Sequence, residues 1–207
     1  MQLGILVYPQ VEELDVMGPW EMVTTWSQLP SGPSSCRIVA ESTQPLRCAK
    51  GLSINPDLSF ASCAPLDVLI VPGGQGSRRE VDNPALIDFL ARQASQCQAL
   101  LSVCTGAFLL HAAGLLSGRI ATTHWGSLDR LRALGDVTVV EERFTRDGRI
   151  WCSAGVSAGI DLTLRYIAAT AGEAVAGQVQ LATEYFPSGE RYGNVSLNPQ
   201  APGYLRD

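Results

Sequence analysis

The stretch Ala99-Leu100-Leu101-Ser102-Val103-Cys104-Thr105-Gly106-Ala107-Phe108-Leu109-Leu110 passes from one apolar run through a knot of small residues into another. Its first half is apolar without alternation, the pattern of a strand covered on both faces of a parallel sheet, and its second half reads as a helix. Ser102 and Gly106 stand two before and two after Cys104. That is the steric requirement of a nucleophile elbow, where the chain reverses so tightly that larger neighbours would clash. At the head of a helix the thiol is expected to gain roughly 1 kcal/mol toward thiolate from the dipole and free N–H groups.

Outward from this stretch, similar apolar runs recur at 3–8, 37–42, 67–72 and 120–123, each separated by helix-like sequence. Helices are predicted to begin at Pro19 and run to Trp26, and to span Pro84 to Gln96, Thr105 to Ala113 and Gly126 to Leu134. Two segments, 45–60 and 139–154, read as hairpins, the second around the turn pair Asp147-Gly148. Helix follows from Gly159 to Ala182, and residues 187–207 are expected as an extended surface tail or partner-contacting arm. The alternation predicts one doubly wound α/β domain over residues 1–207, with a mostly parallel central sheet.

The whole-chain numbers agree with a compact enzyme-like domain. With 207 residues, 46% hydrophobic and 17% charged, the chain can bury a sizeable core. A net charge of -5 disfavours nucleic acid as a partner. No apolar run approaches the ~18 residues of a membrane span, and the first residues lack a basic leader, so a cytoplasmic protein is expected. The six cysteines show no C-x-x-C pair, and two histidines thirteen positions apart offer no metal spacing, so no metal site is expected.

In a doubly wound sheet, ligands bind outside the carboxyl ends of the strands. Three loops should therefore converge: 9–19 after the first strand, Pro72 to Ser77 after the third apolar run, and the elbow itself. In the glycine loop, Gly73, Gly74 and Gly76 are expected to present backbone N–H groups to a ligand. Glu12 and Glu13 read as solvated acids, whereas Asp15 lies between Leu14 and Val16, where solvation explains a charge less well. If Asp15 faces Cys104, the two should share a proton, with the carboxyl pKa raised. Gly155-Val156-Ser157-Ala158-Gly159 matches G-x-S-x-G, but no histidine follows it, and Ser157 is read as a helix N-cap. His111 is read as structural, and His124 either lines the pocket or supports it through hydrogen bonds.

Taken in order, LDVMGP, LDVLIVPGGQG, SVCTGA, ATTHW and AGVSAGID resemble the ThiJ/PfpI superfamily and, within it, the isonitrile hydratase branch. Two features carry the branch: an aspartate at position 15 where glutamate is usual, and Thr105 after the cysteine. The resemblance implies a flavodoxin-like homodimer that works without a cofactor on a small-molecule isonitrile. It implies that Cys104 attacks the isonitrile carbon, Asp15 manages the proton and Thr105 helps position it. It further implies backbone donors from the loop at Gly74 and a turn at Val156 packed beside the nucleophile, with Gly76 and His124 as further candidate lining residues. The alternatives are a glyoxalase- or deglycase-like activity on dicarbonyls, and a non-enzymatic cysteine oxidation sensor. Regulator relatives carry a helix-turn-helix domain beyond the tail, for which a chain ending at Asp207 is expected to leave no room. Residues 184–193, EYFPSGERYG, depart from the proline-rich segment common in hydratases and keep only Glu184, Tyr185 and Pro187.

Overall fold

The computed structural model describes residues 1–189, 192, 195 and 198–205. In chain order the strands are β1 (Gln2–Leu6), β2 (Ser35–Ala40), β3 (Leu46–Arg47), β4 (Ser53–Ile54), β5 (Leu58–Ser59), β6 (Val68–Val71), β7 (Ala99–Val103), β8 (Ile120–Ala121), β9 (Thr138–Val139), β10 (Phe144–Asp147) and β11 (Ile150–Ser153). The helices are α1 (Glu13–Trp26), α2 (Ser77–Glu80), α3 (Pro84–Ala94), α4 (Gly106–Ala112), α5 (Leu128–Arg132), α6 (Ala158–Ala171) and α7 (Glu173–Ala182).

Seven strands form one sheet in the order β10-β11-β7-β6-β1-β2-β5, parallel throughout except for β10. This is the flavodoxin-like α/β arrangement that the unalternated runs predict. Every residue of β6 and β7 is buried, which is why these strands can be apolar on both faces. Each buried Val, Leu or Ile among them contributes about 1.5–3 kcal/mol of transfer free energy relative to exposure. Val71 pairs with Ser102, and Val103 with Ser153, so the three strands end side by side. Loops leaving β1, β6, β7 and β11 therefore open on one edge.

Local signals place most helices. Pro84 opens α3, the Asn83 side chain accepts the Ala85 N–H at 3.1 Å, and Leu86, Leu90 and Ala94 are buried on one face. The helix expected to begin at Pro19 starts six residues earlier, at Glu13, with the proline inside it. Val16, Gly18, Pro19, Met22 and Val23 are all buried, and packing of this face outweighs the hydrogen bond that proline removes. This shift puts Asp15 in a first helical turn rather than a loop.

Other segments differ from their expected pairing. The run at 120–123 does not join the main sheet: only β8 forms, and it pairs with β9 in a separate ribbon while Ile120 stays 44% exposed. Of the segment 45–60, only β3 and β4 make a hairpin, and β5 instead extends the main sheet beside β2. The hairpin around Asp147-Gly148 forms as expected. The long C-terminal helix breaks at Gly172, whose φ of 100° ends α6 before α7.

Of the expected tail, Glu190, Arg191, Gly193, Asn194, Ser196, Leu197, Arg206 and Asp207 lie outside the described residues. In the described part, Ala201 and Pro202 are buried, and Pro199 to Ala201 share a cleft with Trp125, Asp129, Arg132 and Glu141. No helix among the described residues is long and apolar enough to cross a membrane.

Candidate active site

Cys104 occupies the turn between β7 and α4 with φ 56°, a left-handed conformation that costs a non-glycine residue of order 1–3 kcal/mol. Surrounding bonds hold it there. Its N–H donates to the Ala154 carbonyl at 3.0 Å, and its carbonyl accepts the Thr123 hydroxyl at 2.7 Å. The requirement for a small residue at position 106 is steric: a Cβ on Gly106 would lie 2.0 Å from the Val71 carbonyl oxygen. The elbow read from the sequence is therefore present.

Asp15, in the first turn of α1, has no exposed surface. The Gly73 N–H donates to its Oδ2 at 2.9 Å, while Oδ1 is buried with no hydrogen-bond partner among the described residues. Burial raises the carboxyl pKa to about 7, the Glu12 charge pushes the same way, and the Gly73 N–H, the Cys104 thiol and Lys50 oppose it. The raised carboxyl agrees with the sequence expectation.

The thiol does not. Cys104 is 7% exposed, and its pKa is pushed up to about 12, first by burial and then by the Asp15 charge. Backbone N–H groups of Thr105 and Val156, with the Thr105 side chain, act in the opposite direction and do not win. A helix dipole worth about 1 kcal/mol is the smaller effect beside desolvation of an anion. At rest the pair therefore holds its proton on sulfur, and the carboxylate is the acceptor within reach.

Thr105 is buried and spends its side chain on the glycine loop. Its Oγ1 accepts the Gly74 N–H at 3.0 Å and lies 3.0 Å from Ser77 Oγ, which in turn donates to the Gly74 carbonyl at 2.8 Å. Gly76 donates its N–H to the Gln10 carbonyl at 3.0 Å. The N–H groups expected to face a ligand at Gly74 and Gly76 are thus already committed within the protein. Their loop positions Asp15 and Thr105 instead, because its donors point inward at two neighbouring loops.

Val156 stands with φ 50°, an outlier for a β-branched residue, and this turn carries its N–H to the Cys104 sulfur. His124 packs on the glycine before it: a Cβ on Gly155 would lie 2.1 Å from the imidazole Cδ2. The imidazole Nδ1 accepts the Gly126 N–H at 3.1 Å, and burial lowers its pKa, so it is a neutral support. Ser157 precedes α6 as expected, yet its hydroxyl caps nothing and accepts from Arg143 at 3.1 Å. His111 pairs with Asp136 at 2.8 Å, away from the sulfur.

Sequence reasoning missed Tyr8, Ser77 and Thr123. The Tyr8 hydroxyl donates to the Pro72 carbonyl at 2.8 Å and its pKa is raised by burial, then by Asp15 and Cys104. Its position just past the first strand was the available signal. Among the described residues no three His, Cys, Asp or Glu side chains converge on a metal position.

A buried cysteine on a strained elbow, beside a carboxyl at the switch point of a flavodoxin-like sheet, defines a class of cysteine-centred α/β domains. This chain belongs to the DJ-1/PfpI family, whose pattern matches residues 1–169. It is 37% identical to an isonitrile hydratase of Pseudomonas putida over 188 residues, which span 91% of this chain and 80% of that one. A solved ThiJ/PfpI family protein from Pseudomonas syringae is 33% identical, with a TM-score of 0.85 over 99% of this chain and 83% of its own. Drosophila melanogaster DJ-1beta shares the fold at 19% identity, with a TM-score of 0.77 over 88% and 96% of the two chains.

Proposed function

We propose that this protein is an isonitrile hydratase, a cofactor-independent lyase that converts an isonitrile and water to an N-formamide. The observation that carries the reading is the buried Asp15 carboxyl beside the Cys104 thiol, with a pKa raised to about 7 next to one raised to about 12. Such a pair has one group able to accept a proton at neutral pH and one able to become a nucleophile as it is lost. Identity of 37% over most of the chain to an isonitrile hydratase supports the substrate class.

The chemistry follows from that order of protonation. The Cys104 sulfur bonds to the terminal isonitrile carbon as its proton passes to Asp15, which returns the proton to that carbon to give a thioimidate. Water then adds to the thioimidate carbon, the C–S bond breaks, and the sulfur regains a proton as the formamide leaves. Thr105 keeps the glycine loop against Asp15, while the Thr105 and Val156 N–H groups favour the sulfur anion as it forms. An uncharged, largely apolar substrate suits a site built around the buried Asp15 carboxyl and the Cys104 thiol. We take the working form as a homodimer in the cytoplasm. The free state of all six cysteines fits a reducing compartment.

An oxidation-sensor role favours an exposed thiol, and Cys104 is only 7% exposed. Purified protein mixed with an aromatic isonitrile should accumulate formamide, followed by absorbance and mass, and Cys104→Ala should abolish it. No turnover, or equal turnover by the variant, overturns the reading; lactate from methylglyoxal instead would favour the glyoxalase alternative.

A further inference from the structure

Glu12 reads from sequence as a solvated acid, yet its side chain is only 14% exposed and its Oε1 meets the Lys50 ammonium. Lys50 arrives from the tip of the β3–β4 hairpin, remote in sequence. Four hydrogen bonds seat that hairpin on the loop before α1 and on the first residue of α1: Gln10 N–H to the Arg47 carbonyl at 2.8 Å, Ala49 N–H to the Val11 carbonyl at 2.9 Å, and the Lys50 and Leu52 N–H groups to Glu13 Oε1 at 2.7 Å and 3.4 Å. Glu13 is therefore an anchor for the hairpin.

Glu12 and Asp15 are also tied to one residue. The Glu12 N–H donates to the Gly73 carbonyl at 3.0 Å, and the Gly73 N–H donates to Asp15 Oδ2 at 2.9 Å. The fold thus spends a hairpin and a glycine loop on holding an anion and a cation at the head of the helix whose first turn carries the buried Asp15 carboxyl. We propose that Glu12 and Lys50 are a positioning pair that meters the charge of Asp15, and so sets the pH at which Cys104 becomes nucleophilic.

The inference rests on Asp15 handling the Cys104 proton, but not on the choice of substrate. Other groups around Asp15 leave this role to the pair. Tyr8, past β1, and Cys104, on the elbow, are neutral at pH 7 in view of their raised pKa values. From α6, the residues packed against α1 at Gly18 and Pro19 are Ile160 and Gly159, which carry no charge, and the one charged residue of α7, which also packs on α1, is the exposed Glu173. His124 senses Glu12 and is held neutral by burial. Glu12 opposes ionisation of Asp15 and Lys50 favours it. Lys50 is 69% exposed, so its influence is screened by salt, whereas that of Glu12 is screened less.

The test is the pH dependence of Cys104 alkylation by iodoacetamide on the full chain, read peptide by peptide so that the other cysteines are separated. Lys50→Met should move the midpoint of the rising limb up by about half a pH unit, a rate loss of about threefold on that limb. Glu12→Gln should move it down by at least as much, the double variant should fall between, and Lys50→Arg should restore the wild-type midpoint. High salt should shrink the Lys50→Met shift. Midpoints that stay put, or move the same way in both single variants, overturn the proposal. Isonitrile turnover is a separate readout: its absence refutes the substrate reading and leaves the opposite shifts to decide this one.

Discussion

Val156 and Cys104 hold matching left-handed backbones, φ 50° and 56°, and the N–H of the first serves the sulfur of the second. Two strained residues from different loops thus share one purpose. The strain is native-state energy that glycine would not carry, since glycine visits this region freely. Val156→Gly should therefore leave stability unchanged or raise it, within about 1 kcal/mol, because relieved strain offsets the added chain entropy. Thermal unfolding checks this, and a loss of more than about 2 kcal/mol would show that Val156 is not strained.

Asp15 makes a stability prediction whose sign is fixed by its raised pKa. Below about pH 4 the carboxyl is protonated in both folded and unfolded chains and costs nothing. Between pH 4 and 7 the unfolded chain releases the proton while the folded one keeps it, so stability falls as pH rises and the loss levels off above about pH 7. Asn mimics the neutral form. Asp15→Asn should match wild type at pH 4, exceed it by about 2–4 kcal/mol at pH 8, and lose turnover. Denaturant unfolding at the two pH values measures the difference, and a variant less stable at pH 8 contradicts the buried carboxylate.

Thr105 is a buried acceptor for Gly74 N–H, so removing its oxygen strands that donor. Thr105→Val should cost about 1–3 kcal/mol and reduce turnover through a loosened glycine loop. Thr105→Ser should recover most of both. Chemical denaturation alongside the isonitrile assay separates this from a side chain that matters only for its bulk.

Ser157 tests the decoy. Its exposed hydroxyl bonds to Arg143, so Ser157→Ala should keep turnover within about twofold, as expected for a surface hydrogen bond worth little. A fluorophosphonate probe should not label the wild-type chain, and labelling at Ser157 would revive the hydrolase reading.

Much of the fold was legible because its signals are local. Unalternated runs at 67–72 and 99–103 carry the pattern of strands covered on both faces, Pro84 heads a stretch with one apolar helical face, and Asp147-Gly148 turns a hairpin. The errors fell where a distant partner overruled a local cue: Pro19 inside α1, held by packing on α6, and Leu58 drawn to the sheet edge by β2.

For the site, the sequence by itself determined which loops reach one edge. A cysteine between Ser102 and Gly106 at a strand end meets the steric requirement of an elbow, and an acid placed after the first strand lies on the same edge, since parallel strands share one carboxyl end. Only the tertiary structure decided what those atoms do. Whether Cys104 rests as thiol or thiolate, whether Gly74 and Gly76 face a ligand or a neighbouring loop, and whether Glu12 is solvated or paired with Lys50 all depend on desolvation and on groups that lie far apart in sequence. Local spacing fixes sterics, but a charge answers to everything folded around it.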